Sequence, residues 1–370
     1  MTKKKGELSK FEEKLNDLFA RISRISFVEK IFFIDHLRTM IHASLSLIES
    51  LEILGKEMES RRFKKIITEV KQEVEKGRQL SEVLSEYPKV FPHIYVKMMA
   101  SGELSGKLDE SLQQIVTQMK KTQELRSSIR GAMIYPTVII LAIVGAGIFM
   151  MIAILPKMLT LFSEFNAELP MATRILIKTT NFFNSPLNLI LLFGGIIGAI
   201  ALFIFSLKKS VEFRKIIHTI NLNLPILGPI IKQINLARFS MTLSSLLKST
   251  IPIIEAMDIT ADTCSNLQYQ ISLHKIAVEI KTGKPLSELL REYDKLYPPM
   301  VTEMVMVGER SGEVDHLLNE LSDFYSSEVD KTMKNFAQII EPVIIIILGF
   351  AVGGIAVAII MPMYSLVEAV

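Results

Sequence analysis

The stretch Met98-Met99-Ala100-Ser101-Gly102-Glu103-Leu104-Ser105-Gly106-Lys107-Leu108-Asp109 returns later in the chain as Met304-Val305-Met306-Val307-Gly308-Glu309-Arg310-Ser311-Gly312-Glu313-Val314-Asp315. Each residue of the second stretch stands 206 places after its counterpart, and the same offset aligns much more of the chain. Gly77, Leu80, Ser81, Glu82 and Leu84 meet Gly283, Leu286, Ser287, Glu288 and Leu290. Upstream, Phe33, Leu37 and Glu49 meet Phe239, Leu243 and Glu255; downstream, Pro136 and Pro156 meet Pro342 and Pro362. A gapless register from about residue 33 to about residue 158 marks one domain written twice, each copy ending in an apolar stretch.

Those apolar stretches set the class. Thr137–Leu155 and Val343–Met361 carry no charge, nor does Leu187–Leu207, which has no partner in the repeat. About 20 apolar residues cross a bilayer core, so all three are read as membrane spans rather than buried soluble helices. The N-terminal Met1-Thr2-Lys3-Lys4-Lys5 is followed by no apolar run of the signal-peptide kind. A single cysteine, Cys264, excludes an intrachain disulfide framework and a four-thiolate metal site, and reads as a small helix-packing residue. A net charge of +3 is ordinary for basic membrane flanks and gives no reason to expect direct binding of nucleic acid.

Two copies that fold alike should share a compartment. The chain leaves through the first span, so the unduplicated Leu187–Leu207 must bring it back before the second copy begins. Lys120, Lys121, Arg126 and Arg130 precede the first span, Lys208, Lys209, Arg214 and Lys215 follow the second, and Lys331 and Lys334 precede the third. Beyond the third span the only charge is Glu368. The positive-inside rule therefore places both copies and the N-terminus in the cytoplasm and the C-terminus outside.

Along the chain, Glu7–Phe33 has apolar residues at helical steps and lysines between them. It is read as an amphipathic helix packed on the first domain or a partner, in preference to one resting on the membrane surface. Phe33–Lys56 is predicted as one helix, Arg62–Lys76 as a second closed by Gly77, and Leu80–Leu84 as the start of a short third. Pro92 opens a fourth helix expected to stop at Gly102, and a long helix follows from Gly106 onward. Strand-like alternation is absent, so each soluble copy is a small all-α bundle. Pro136 and Pro342 sit where the long helices meet the spans, where a kink or a re-start is expected, and Pro156 and Pro362 close those spans. Gly194 with Gly198, and Gly349 with Gly353, put small residues on one helix face and permit close helix contact.

The chemistry of an enzyme is missing from this pattern. The sequence has no Gly-rich phosphate loop, no G-x-S-x-G and no H-E-x-x-H, and its six histidines form no ligand-type pair. No ionisable residue lies inside a span, where a transporter with parallel repeats would need one. One acidic set remains. Glu309 and Glu313 straddle the break before a helix, whereas the first copy has Glu103 and Lys107. They read either as helix-start carboxylates with a charge pair or as a divalent-cation site with oxygen ligands.

At Gly102-Glu103-x-Ser105-Gly106, at Gly308-Glu309-x-Ser311-Gly312, and at the paired Leu47-Ile48-Glu49 and Ile253-Ile254-Glu255, the chain resembles a known family. It is similar to the inner-membrane platform proteins of type II secretion systems and type IV pili. Arg130-Gly131-Ala132-Met133-Ile134-Tyr135-Pro136, and Glu168-Leu169-Pro170 with Thr173, carry the same resemblance. The resemblance implies two cytoplasmic six-helix domains and no enzymatic activity. It also implies contact with a hexameric cytoplasmic assembly ATPase, with pilin or pseudopilin subunits and with other inner-membrane components, and assembly as a homo-oligomer. Some members are similar in binding calcium through glutamates that correspond to Glu49 and Glu103. Lys107 departs from that pattern, while Glu255, Glu309 and Glu313 keep three carboxylates in the second copy.

The reading is thus an all-α integral membrane protein with two homologous cytoplasmic bundles and three transmembrane helices. An N-terminal segment (1–32) precedes copy 1 (33–135), the first span (136–156), an outer loop (157–186) and the second span (187–207). Copy 2 (208–341), the third span (342–362) and an outer tail (363–370) complete the chain. The expected function is a non-enzymatic platform coupling the ATPase to fibre assembly, with a transporter or an unrelated membrane scaffold as rivals.

Overall fold

The structure, a computed structural model, describes residues 25–154 and 185–368, with Pro156, Arg174, 178–180, Phe182 and Phe183 between them. Most of the N-terminal amphipathic segment and of the outer loop lies outside the described residues. Among the described residues there is no strand. Copy 1 is built from α1 (Phe27–His42), α2 (Leu47–Glu57), α3 (Arg61–Glu75), α4 (Leu80–Ser85), α5 (His93–Leu104) and α6 (Leu108–Phe149). A π-helical turn, Met150–Ile154, extends α6. Next come α7 (Pro186–Lys209) and α8 (Val211–Asn223). Copy 2 follows as α9 (Leu227–Lys248), α10 (Ile253–Thr263), α11 (Leu267–Ile280), α12 (Leu286–Arg291), α13 (Pro299–Ser311) and α14 (Val314–Glu368).

The repeat seen in the sequence is kept by the backbone. α2, α4 and the start of α6 map onto α10, α12 and the start of α14 at the same offset of 206. The left-handed residues pair too: Ser44 with Thr250, Gly77 with Gly283, and Gly106 with Gly312. So do side-chain caps at one loop, where Glu29 accepts the N–H of Ser60 and Asn235 that of Asn266, satisfying donors that helix starts leave free. Each core holds the same aromatic trio. Phe33, Phe63 and Phe91 lie with ring centroids 5.4 to 6.1 Å apart, and their counterparts Phe239, Tyr269 and Tyr297 make edge contacts at 5.6 and 5.5 Å.

Three boundaries differ from the sequence expectation. Phe33–Lys56 is not one helix: the chain breaks after His42 because Ser44 turns left-handed (φ 66°) and the Ser46 hydroxyl accepts the Glu49 N–H to start α2. Gly102 does not stop α5, which runs on to Leu104; Gly106 (φ 70°) makes the stop. Pro342 and Pro362 lie inside α14, which runs to Glu368, and Pro136 lies inside α6, so neither helix re-starts at the membrane entry.

The chain forms two compact units. One gathers the described residues up to Arg126 with Leu224–Glu328, so both copies form a single body; the other holds Ser127–Asn223 and the chain from Val329. Residues 208–223 thus group with the membrane helices instead of copy 2, because Phe213 of α8 packs edge-on against Phe203 of α7 at 5.8 Å. In this second unit Ser128 donates to Asp330 at 2.6 Å, tying α6 to α14. Among the described residues, three helices are long and apolar enough to cross a membrane: Leu108–Ile154, Pro186–Lys209 and Val314–Gly354. Their apolar side chains stay uncovered by protein, including Leu141 and Val144 on α6, Ile190 and Leu202 on α7, and Phe350 on α14. A continuous apolar surface of that extent needs lipid around it.

Candidate functional site

The repeated Gly-Glu-x-Ser-Gly turn stands at the root of each of the two duplicated membrane-going helices, α6 and α14. In copy 1 the chain leaves α5 through Ser105 and Gly106, and the Lys107 N–H returns to the Gly102 carbonyl at 2.8 Å. The Ser105 hydroxyl donates to Ser101 O at 2.8 Å, so the turn closes on itself. Copy 2 repeats this with Glu313 N–H to Gly308 O at 3.0 Å and the Ser311 hydroxyl to Gly308 O at 3.3 Å.

The two glycines of each motif do different work. Gly106 and Gly312 supply positive φ, which a side chain resists. Gly102 and Gly308 are helical and supply closeness. A Cβ on Gly102 would lie 2.3 Å from the Ser111 Cβ, and one on Gly308 would lie 2.9 Å from the Val314 Cα. The first turn of α6 or α14 therefore rests directly on the preceding helix, and Ser111 adds a hydrogen bond to the Met98 carbonyl at 2.5 Å.

The glutamate ties in a third helix. Glu103 accepts the N–H groups of Leu80 at 2.7 Å and Ser81 at 2.9 Å, the free donors at the start of α4. Gln79, the residue before α4, offers no side-chain cap of its own. Glu309 does the same for α12, accepting from Ser287 N at 3.2 Å and from Leu286 N and the Ser287 hydroxyl at 2.5 Å. A carboxylate at a helix start also meets the positive end of the helix dipole. Gly-Glu thus locks the short helix, the motif helix and the membrane-going helix into one joint.

The five glutamates singled out as cation ligands are not brought together. Among the described residues no group of three or more His, Cys, Asp or Glu could hold a metal ion. Both oxygens of Glu103 and of Glu309 face N–H or O–H donors, which a cation would have to displace. Glu255 is paired with Lys97 at 2.6 Å, and Glu49 and Glu313 are exposed. This donor set does not fit a calcium ion, which takes about six to eight converging oxygen ligands. Cys264 is buried and its thiol is pushed up to about 12 by the loss of solvation, in keeping with a packing residue. A Cβ added at Gly194, Gly198, Gly349 or Gly353 would meet no neighbouring element within 4 Å among the described residues.

The seam between the copies was not legible in the sequence. Besides Lys97–Glu255, Ser101 donates to Ser249 O at 2.7 Å and Ser245 to Gln118 Oε1 at 2.7 Å, with Ser249 bonded to Gln114. Lys121 reaches Asp323 at 2.5 Å and Asn319 at 3.0 Å. A signal did exist: at the 206 offset Lys97, Ser101, Gln114, Gln118 and Lys121 fall on Glu303, Val307, Glu320, Phe324 and Ser327, so the copies differ in chemistry where they meet.

A duplicated six-helix domain, with each copy rooted on its own membrane-going helix and an unduplicated span between, defines a polytopic membrane protein assembled around one paired body. The chain belongs to the type II secretion system (T2SS) protein F family, whose profile matches residues 33–156 and again 239–362. It is 35% identical over 339 residues to the type IV pilus assembly protein PilC of Thermus thermophilus, covering 90% of this chain and 82% of that one. It is 33% identical over 337 residues to PilC of Myxococcus xanthus, covering 90% and 79%. With the type II secretion system protein F of Aeromonas hydrophila it shares 29% identity over 333 residues, covering 89% and 84%.

Proposed function

We propose that this protein is a non-enzymatic inner-membrane platform of a type IV pilus or type II secretion machine. The paired body receives the motion of a hexameric cytoplasmic assembly ATPase. α6 and α14 carry that motion into the membrane, where pilin or pseudopilin subunits are raised into a growing fibre. The observation that carries this reading is helix continuity: α6 and α14 each run unbroken from a Gly-Glu joint through a proline into an apolar span. A helix transmits displacement along its axis, and a proline inside it removes one backbone bond and sets a bending point at a fixed place. The bare glycine faces of α7 and α14 support assembly as a homo-oligomer alongside other machine components. Both copies face the cytoplasm and the C-terminus lies outside, on the positive-inside reading of the flanking charges.

The test is Pro136→Ala combined with Pro342→Ala in a cell that builds fibres. The expected result is a protein present in the membrane at normal level with fibre assembly lost or sharply reduced. Unchanged assembly would remove the transmission step. Co-purification of the full-length protein with the assembly ATPase, abolished by charge changes on the exposed face of the paired body, is the matching test of the partner.

A further inference from the structure

α8 is the helix for which neither the repeat nor the family match provides a role. A single residue, Ser210, separates it from α7, and the Ser210 hydroxyl accepts the Phe213 N–H at 3.2 Å. The chain turns back at Ser210, since Phe213 meets Phe203, which lies within the uncharged run Leu187–Leu207. The first turn of α8 is therefore at the depth of the last turns of a membrane span.

From there α8 shows two unlike faces. Phe213, Ile216, Ile217 and Ile220 recur at three- and four-residue steps and share one side of the helix. Phe213 and Ile217 are partly covered, Phe213 by Phe203 of α7, while Ile216 and Ile220 stay 55% and 49% exposed among the described residues. Lys215 and His218 lie on the opposite side, Arg214 and Thr219 on the two flanks, and Lys208 and Lys209 at the end of α7 just before it. Four basic residues thus stand against one acidic residue, Glu212, within residues 208–223. Lys209 arches back so that its ammonium is 5.4 Å from the Phe205 ring centre, an apolar stem along the span and a charge at its edge.

We propose that α8 lies in the headgroup layer of the bilayer, with Ile216 and Ile220 in the upper acyl region and Lys208, Lys209, Arg214 and Lys215 among anionic headgroups. An amphipathic helix with a basic polar side takes this position when its apolar side has no protein to bury against. Its continuity with α7 selects lipid as the occupant over a second copy or another protein. As a collar at the foot of α7, it would fix how deep that span sits. The inference rests on α7 crossing the membrane and not on the platform role, so the two can fail separately.

The test uses the full chain in nanodiscs of phosphatidylcholine with phosphatidylglycerol, in a Cys264→Ala background. Single spin-labelled cysteines replace Ile216, Ile220, Lys215, Leu104 as a water-exposed reference and Leu202 as a lipid-exposed reference. Collision rates with oxygen and with a water-soluble nickel chelate are compared. The expected result is an oxygen-to-nickel ratio at Ile216 and Ile220 several-fold above that at Lys215 and Leu104, approaching that at Leu202. A ratio at Ile216 and Ile220 matching Leu104 overturns the proposal, as does shielding from both reagents, which would mean that protein covers the face. Omitting phosphatidylglycerol should lower the ratio at Ile216; an unchanged ratio removes the role of headgroup charge.

Discussion

Replacing Glu103 by alanine should loosen one short helix and, through it, the root of α6. The carboxylate accepts two backbone N–H groups, from Leu80 and Ser81, whose side chains are buried in the core. A hydrogen bond to a charged group contributes about 1.5–3 kcal/mol, and two that share one carboxylate are less than additive. Water can return in part to a half-buried helix start, so Glu103→Ala is expected to cost about 2–4 kcal/mol locally. At 1.4 kcal/mol per factor of ten, this is about thirty-fold to several-hundred-fold faster amide exchange over Leu80–Ser85. The assay is hydrogen–deuterium exchange on the full-length protein in detergent. Glu103→Gln keeps a carbonyl acceptor and loses the charge, so it should fall between wild type and Glu103→Ala. A chelator added to the wild-type protein should leave the same peptide unchanged. Unchanged exchange in Glu103→Ala, or a chelator effect as large as the substitution, would refute the capping role and restore the cation reading.

Three further expectations follow from the same geometry. Gly308→Ala places a Cβ 2.9 Å from the Val314 Cα, a backbone atom that cannot swing aside; overpacking of about 1–3 kcal/mol should outweigh a helix-propensity gain of about 1 kcal/mol and lower the melting temperature. Lys97→Glu sets like charges against Glu255 across the seam, and because each side chain is 41% exposed the coupling should be no more than about 1 kcal/mol, recovered when Glu255→Lys is added in a double-mutant cycle. Burial holds the Tyr269 and Tyr297 phenols above their ordinary value of about 10. The unfolded chain therefore releases those protons first as pH rises, so their contribution is complete below about pH 10 and is lost above it. Tyrosinate absorbance should show both phenols ionising only as copy 2 opens, and Tyr269→Phe with Tyr297→Phe, which copies the Phe63 and Phe91 of copy 1, should extend the alkaline range.

Much of this architecture was legible because a duplication prints its own ruler. The offset of 206 places both copies, the unpaired span and the paired prolines from residue order alone. What stayed hidden depends on dihedral angles and on which donor faces which acceptor. Gly102 and Gly106 look equally able to end a helix in the sequence, yet only Gly106 has positive φ while Gly102 is needed for the approach of Ser111. Apolar spacing carried the Phe33–Lys56 reading across Ser44, although the Ser46 cap two residues later marked a fresh start. Glu103 and Glu309 stood out as acidic residues at a turn, but only the fold shows that their oxygens face the N–H groups of another helix. The seam is built from polar residues at ordinary helical steps, Gln114, Gln118 and Lys121 on one side and Ser245 and Ser249 on the other. In the sequence they read as a solvated face, so only the loss of symmetry between the copies could have marked it.

That the two copies form one body on one side of the membrane is the claim tested most directly by accessibility. Leu104 is 77% exposed in copy 1 and Val278 is 62% exposed in copy 2. Each is replaced singly by cysteine in a Cys264→Ala background, and sealed inverted membrane vesicles are treated with a membrane-impermeant thiol reagent. Both cysteines should label without detergent, to the same extent as after the vesicles are opened. Labelling of one with protection of the other would put the copies in different compartments and contradict the paired body on which the fold, the joint and the proposed role all stand.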